Sequence, residues 1–150
     1  MRSHFLLVLL LMSTLIVSAC GSIGTSTPTA ESIGPPAVED QASLIVALET
    51  AGATVEAGDS VEQAFFSAVG QIIKVNGANV QVFEYESAET MESEASQVAP
   101  DGGSIGTSMV TWMDTPHFYK AGRIIVLYIG SDTTILSLLE DILGSQFAGR

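Results

Sequence analysis

Cysteine is almost missing from this chain. Among 150 residues Cys20 is the single one, which excludes a disulfide framework and a thiolate-rich metal site. Histidine is nearly as scarce: His4 and His117 are the two present, and neither has a second ligand three or four residues away on a helix, as a zinc site requires. No D-x-D-x-D-G loop is present, so a calcium hand is excluded, although carboxylates without that spacing still allow a calcium site. Basic residues number 5 against 17 acidic ones, for a net charge of −12. Nucleic acid needs clustered Lys and Arg, and a grip on anionic lipid needs a basic patch; this composition supplies neither. A permanent membrane span needs roughly 18 apolar residues in a row; the greasy run Phe5 to Val17 stops short of that.

Present instead is a three-part N-terminus. Arg2 and His4 supply a positive end, Phe5 to Met12 and Leu15-Ile16-Val17 an apolar middle, and Ser18-Ala19 a pair of small residues before Cys20. An amphipathic core helix would show polar residues every few positions, and none stand between Phe5 and Met12. The pattern is that of an export signal. With Arg2 gone along with residues 1–19, the remainder carries four basic residues against 17 acidic ones. Such acidity has two readings: a solvated surface, or an attraction for a basic partner or loosely held cations.

Val17-Ser18-Ala19-Cys20 resembles the lipobox of bacterial prolipoproteins, with Val in place of the commoner Leu at its first position. The resemblance implies that the Cys20 thiol receives a diacylglyceryl group, with palmitate-type chains, and that the Ala19–Cys20 bond is cut. Two acyl chains hold a protein at a bilayer where one does not. It further implies a location outside the cytoplasm, lipid-anchored to the cell membrane or the outer membrane. Gly21 is not the Asp that tends to retain Gram-negative lipoproteins at the inner membrane, so both membranes stay open.

Residues 20–38 follow as lipidated Cys and tether. Gly21 to Pro36 is rich in Ser, Thr, Gly and Pro with almost nothing to bury, the composition of a flexible spacer. Residues 39–150, about 110 in number, suffice for one core and form the single acidic domain.

Within it, Asp40 caps a helix from about Gln41 to Ala51, with Leu44, Ile45, Ala47 and Leu48 on one stripe and Gly52 as its stop. Thr54-Val55-Glu56 reads as a short strand before a turn at Gly58-Asp59. From Ala64 onward the pattern is β, and Asn76-Gly77 between Ile72–Val75 and Val80–Tyr85 is a hairpin signal, because both residues tolerate positive φ. Ser87 caps a second helix to about Val98, with Ala88, Met91, Ala95 and Val98 inward. Met109–Met113, His117–Lys120 and Arg123–Ile129 read as strands, the last so apolar that it belongs at a sheet centre covered on both faces. A third helix spans Asp132 to Leu143 and Gly144 closes it. The order α-β-β-β-α-β-β-β-α predicts an α+β domain, a mostly antiparallel sheet with helices packed on one face. Phe65–Ile73 echoes Phe118–Ile125, which fits an internal duplication and a chance likeness equally.

Chemistry-bearing patterns are few. Gly102-Gly103-Ser104-Ile105-Gly106 fits G-x-S-x-G, and Asp114 and His117 follow in the chain order of α/β-hydrolases. That motif works where a strand ends and a helix begins at the serine; here a helix precedes and a strand follows. A serine-type hydrolase using Ser104, His117 and Asp114 is therefore the alternative reading, and a Gly/Ser loop entering a strand the leading one. The same glycines lack the Lys and the following helix of a phosphate cradle. No cofactor or metal is expected. Trp112, His117, Phe118 and Tyr119 make the densest aromatic patch; core packing accounts for them, and so does a binding surface. Phe118-Tyr119-Lys120-Ala121-Gly122-Arg123 before an apolar strand resembles the small domains that many bacterial lipoproteins carry, a likeness that implies no particular activity. The expectation is a membrane-tethered, non-catalytic binding or interaction module, with an unidentified protein or small-molecule ligand and no nucleic acid.

Overall fold

The computed structural model describes residues 37–150. The export signal, the Val17–Cys20 motif and the tether up to Pro36 lie outside the described residues. Three helices and eight strands follow among those described: α1 (Gln41–Thr50), β1 (Val55–Val61), β2 (Gly70–Val75), β3 (Ala78–Glu84), α2 (Ala88–Ala95), β4 (Ser104–Ile105), β5 (Ser108–Met109), β6 (Pro116–Ala121), β7 (Ile124–Ile129), α3 (Thr133–Leu143) and β8 (Ala148–Gly149). The class is α+β in the expected helix and strand order. Six strands pair antiparallel in the spatial order β1-β2-β3-β7-β6-β8, and β4 and β5 form a separate small hairpin.

Local chemistry starts these elements where the sequence indicates, while α2 stops at Ala95, short of the expected Val98, which instead bridges Ile105. Asp40 Oδ1 accepts from the Ser43 amide at 2.9 Å while Ser43 Oγ accepts from the Asp40 amide at 3.0 Å, a reciprocal cap on α1. Ser87 and Asp132 cap α2 and α3. Asn76 and Gly77 take φ of 51° and 87°, the two left-handed residues that match a hairpin turn to the strand twist. Asn76 Oδ1 also accepts from the Thr54 amide at 2.9 Å, tying the turn to the start of β1.

The sheet has a core on each face, and strand alternation decides which residue serves which. Val80, Val82, Ile124, Val126 and Tyr128 point toward α1 and α3, meeting Leu44, Leu48, Ile135 and Leu139. Phe83, Ile125, Leu127 and Phe118 point the other way, toward Met91 and Ala95 of α2. So α1 and α3 share a face as expected, whereas α2 covers the opposite one. The apolar strand β7 is indeed central, between β3 and β6, and buried on both sides. Val38, assigned by composition to the tether, is buried in the first core. Ala88, expected inward, is exposed at the start of α2.

Three further expectations change. β1 runs on through Gly58-Asp59, where a turn was expected, by a bulge between Ala57 and Ser60. The extra residue flips the alternation: Ala57 pairs with Ile73 but Val61 pairs with Gly70, so Val61 joins the second core. Residues 62–69 are a loop over that core rather than strand. Met109–Met113 is not a strand either; pairing ends at Met109 with the β4–β5 hairpin, and the chain then bends so that Trp112 reaches Phe118. The echoed segments are not equivalent. Gly122 lies in the β6–β7 turn with φ 50°, while Gly70 opens β2 beneath the Phe83 ring. A two-fold relating antiparallel β3 and β7 would also put α2 and α3 on one face, which they do not share.

Candidate functional site

The four residues of the expected aromatic surface stand on a strand and the loop before it, and a strand sends alternate side chains to opposite faces. His117 and Tyr119 go with the α1/α3 face: His117 stacks on Tyr128 at 6.2 Å between centroids. Trp112 and Phe118 meet edge to face at 5.8 Å on the α2 face. His117, Phe118 and Tyr119 are all buried. These four therefore do not form one surface.

The serine and the histidine stand on opposite sides of the sheet. Ser104 opens β4, whose Ile105 packs in the α2-side core, while the His117 ring lies beyond the sheet. His117 Nδ1 is engaged by Gln146 Oε1 at 2.7 Å. Asp114 Oδ1 accepts from the Thr115 amide at 2.7 Å and from Ser131 Oγ at 2.9 Å. Those two bonds, the amide first, hold its carboxyl below the ordinary carboxylate range, with a small further effect from His117. No hydrogen bond joins any two of Ser104, His117 and Asp114 among the described residues.

On the α1/α3 side, His117, Tyr119, Glu140 and Gln146 line a shallow cleft of about 250 Å³. Burial, and secondarily the Glu140 carboxylate, raises the Tyr119 hydroxyl above its ordinary value. One histidine and one carboxylate are too few for a metal centre, and no group of three or more His, Cys, Asp or Glu suited to a metal occurs among the described residues.

The α2 side is different. A continuous run of aromatic contacts crosses it: Phe83 to Phe66 at 4.8 Å, Phe66 to Phe65 at 5.0 Å, Phe65 to Trp112 at 5.9 Å, Trp112 to Phe118, and Phe118 to Phe147 at 6.1 Å. Through Phe65 and Trp112 the loop 62–69 touches the loop 101–115. The second loop has a hydrogen-bonded frame. The Ala99 amide donates to the Ser104 carbonyl, the Gly106 amide to that of Gln97, and the Val110 amide to that of Gly103. Trp112 Nε1 donates to the Gly102 carbonyl at 2.7 Å.

From this frame Met109 projects with 91% of its surface in water and Met113 with all of it. Val69 on the neighbouring loop is 55% exposed. Beside them an open cleft of about 370 Å³ is lined by Asp101, Thr111, Trp112, Asp114 and Arg150 among others. Reading the residues one by one singled out Trp112 and the stretch Gly102–Gly106 but missed the methionines. The available signal was an absence: no charged residue stands from Gly102 to Met113, nor from Gln63 to Ile73, in a chain with 17 acidic residues.

Set against known proteins, the chain matches no family model, no curated protein and no solved structure.

Proposed function

We propose that this chain is an extracytoplasmic lipoprotein, anchored through acyl chains on Cys20, whose acidic domain is a non-catalytic binding module. The observation that carries the binding role is the exposure of Met109 and Met113 on a pinned, uncharged loop. Burying one methionine side chain stabilises by about 1.5–3 kcal/mol. A loop held by the four backbone and side-chain hydrogen bonds given above does not fold over to cover them. Methionine also suits a recognition surface, because its unbranched, polarisable side chain adapts to the shape it meets.

Two measurements test the two halves. Metabolic labelling with tagged palmitate is expected to mark the wild-type chain and to leave Cys20→Ser unmarked; a label that survives Cys20→Ser removes the anchor. A photoreactive residue at position 109 or 113 is expected to give adducts in intact cells, whereas one at Val46, exposed on α1, gives none. Equal adducts at all three positions, or none at 109 and 113, removes the binding surface.

A further inference from the structure

We infer that the partner of the Met109–Met113 loop is the bilayer that carries the anchor: the two methionines dip into its interfacial layer, with Trp112 at the level of the headgroups. The inference rests on the anchored reading above and adds the occupant of the same surface. Chain length makes the first part of the case. The first described residue is Ala37, and the chain between Cys20 and that point can span at most about 60 Å when fully extended. Anchored through Cys20, the domain stays within about 60 Å of lipid, and tethering makes the encounter intramolecular.

Charge selects the face. A domain this acidic is repelled by an anionic surface, so the parts that approach lipid at least cost are those without carboxylates. Gly102 to Met113 and Gln63 to Ile73 are such parts, and they are the two loops joined by Phe65 and Trp112. Asp101 and Asp114, both exposed, bracket the first loop. Their carboxylates stay in water, which limits insertion to the side chains between them. Trp112 is half-buried, with its indole N–H already bonded to Gly102, an amphipathic ring of the sort that favours a membrane–water boundary. The lipid this surface fits is zwitterionic, since the loop itself carries no cation and Arg150 beside it shares its cleft with Asp101 and Asp114.

Trp112 is the single tryptophan and serves as the reporter. The full-length acylated protein is reconstituted into vesicles of zwitterionic phosphatidylcholine with brominated acyl chains, and into unbrominated vesicles as the reference. Bromine is expected to quench Trp112 in the wild type. M109D with M113D is expected to lose most of that quenching, and V46D to keep it. Both methionines are exposed, so the double variant is expected to melt at the wild-type temperature; circular dichroism and a thermal melt check this. Admixed anionic lipid is expected to reduce quenching.

Unquenched Trp112 in protein whose Cys20 acylation is verified by mass spectrometry overturns lipid docking and leaves the anchored reading standing. Absence of acylation overturns the anchored reading itself. Photo-adducts at positions 109 and 113 found on protein alone, never on lipid, make the partner a protein and overturn the inference.

Discussion

Arg123 Nη2 lies 2.7 Å from Glu84 Oε1, and this pair joins three segments at one end of the sheet's two central strands. The same guanidinium reaches Asp40 Oδ2 at 3.5 Å and donates to the Tyr85 carbonyl at 3.3 Å. Glu84 Oε2 accepts from the Gln41 amide at 3.0 Å. The start of α1 is thereby fastened to the end of β3 and the β6–β7 turn.

Arg123→Met is expected to lower stability by about 1 kcal/mol, a modest figure because both side chains are more or less one-third exposed and screened by solvent. A double-mutant cycle with Glu84→Gln, read from urea midpoints, is expected to give a coupling of about 0.5–1 kcal/mol. Raising salt to about 0.5 M shrinks that coupling, since the Debye length falls to a few ångströms.

Gly122 sits in the neighbouring turn with φ 50°, and a Cβ there would lie 2.3 Å from Glu39 Cα and Glu39 O. Gly122→Ala combines a left-handed backbone with a backbone collision, so a loss of about 2–4 kcal/mol is expected. Gly52 is the control: its φ is 89° but nothing lies within 4 Å of the added carbon, and Gly52→Ala is expected to cost about 1–2 kcal/mol. Denaturant titration of the two variants side by side checks the difference.

The Tyr85 hydroxyl is buried and finds no hydrogen-bond partner among the described residues. An unsatisfied buried donor costs about 1–3 kcal/mol, so Tyr85→Phe is expected to raise stability by roughly 1 kcal/mol. Burial, and then the charge of Glu94, pushes this hydroxyl well above its ordinary value of 10.0. A phenol whose folded value is raised contributes stability that is complete below the unfolded value and is lost as pH climbs past it. The wild type therefore weakens above about pH 10 and Tyr85→Phe weakens less, Tyr119 supplying the remaining loss. Thermal melts at about pH 8 and about pH 11 compare them.

At the acid end the relevant group is Asp40. The Ser43 amide, then the Ser43 hydroxyl, hold its carboxyl below the ordinary 3.8. Stability from this carboxylate is present above the unfolded value and lost as pH falls through the folded one. Asn caps a helix as well as Asp does, so Asp40→Asn is expected to keep the neutral-pH fold while flattening the acid limb. Urea midpoints between about pH 2 and about pH 7 measure that slope.

Much of this fold is written in local chemistry. Asp40, Ser87 and Asp132 announce their helices, Asn76-Gly77 announces its turn, and the unbroken run Ile124–Ile129 announces a strand with no wet side. What escapes inspection is whatever depends on a neighbour far along the chain. β1 hides because its bulge moves Val61 to the face opposite Ala57, so no single alternation runs through it. The apolar stretch Met109–Met113 has the composition of a strand but no partner beyond Met109 to pair with. α2 lies on the second face because Phe83, Ile125 and Leu127 offer a core there, and nothing within residues 88–95 says which face that is.

The candidate site divides in the same way. That His117 and Phe118 cannot share a surface was legible, since adjacent residues on a strand point apart. That Met109 and Met113 stay in water was not, because apolar side chains are ordinarily read as interior. Only the missing charge around them pointed outward.

The kink in β1 bears on how many copies can coexist. An outermost strand that is long, flat and greasy is a template for a second chain to zip against. Here that margin is bent at Ala57–Ser60 and studded with Glu56, Asp59 and Glu62, while the opposite margin ends in a strand of only two residues. Crowded side by side, such molecules repel at one border and find too little ladder at the other, so density alone does not drive them into fibres.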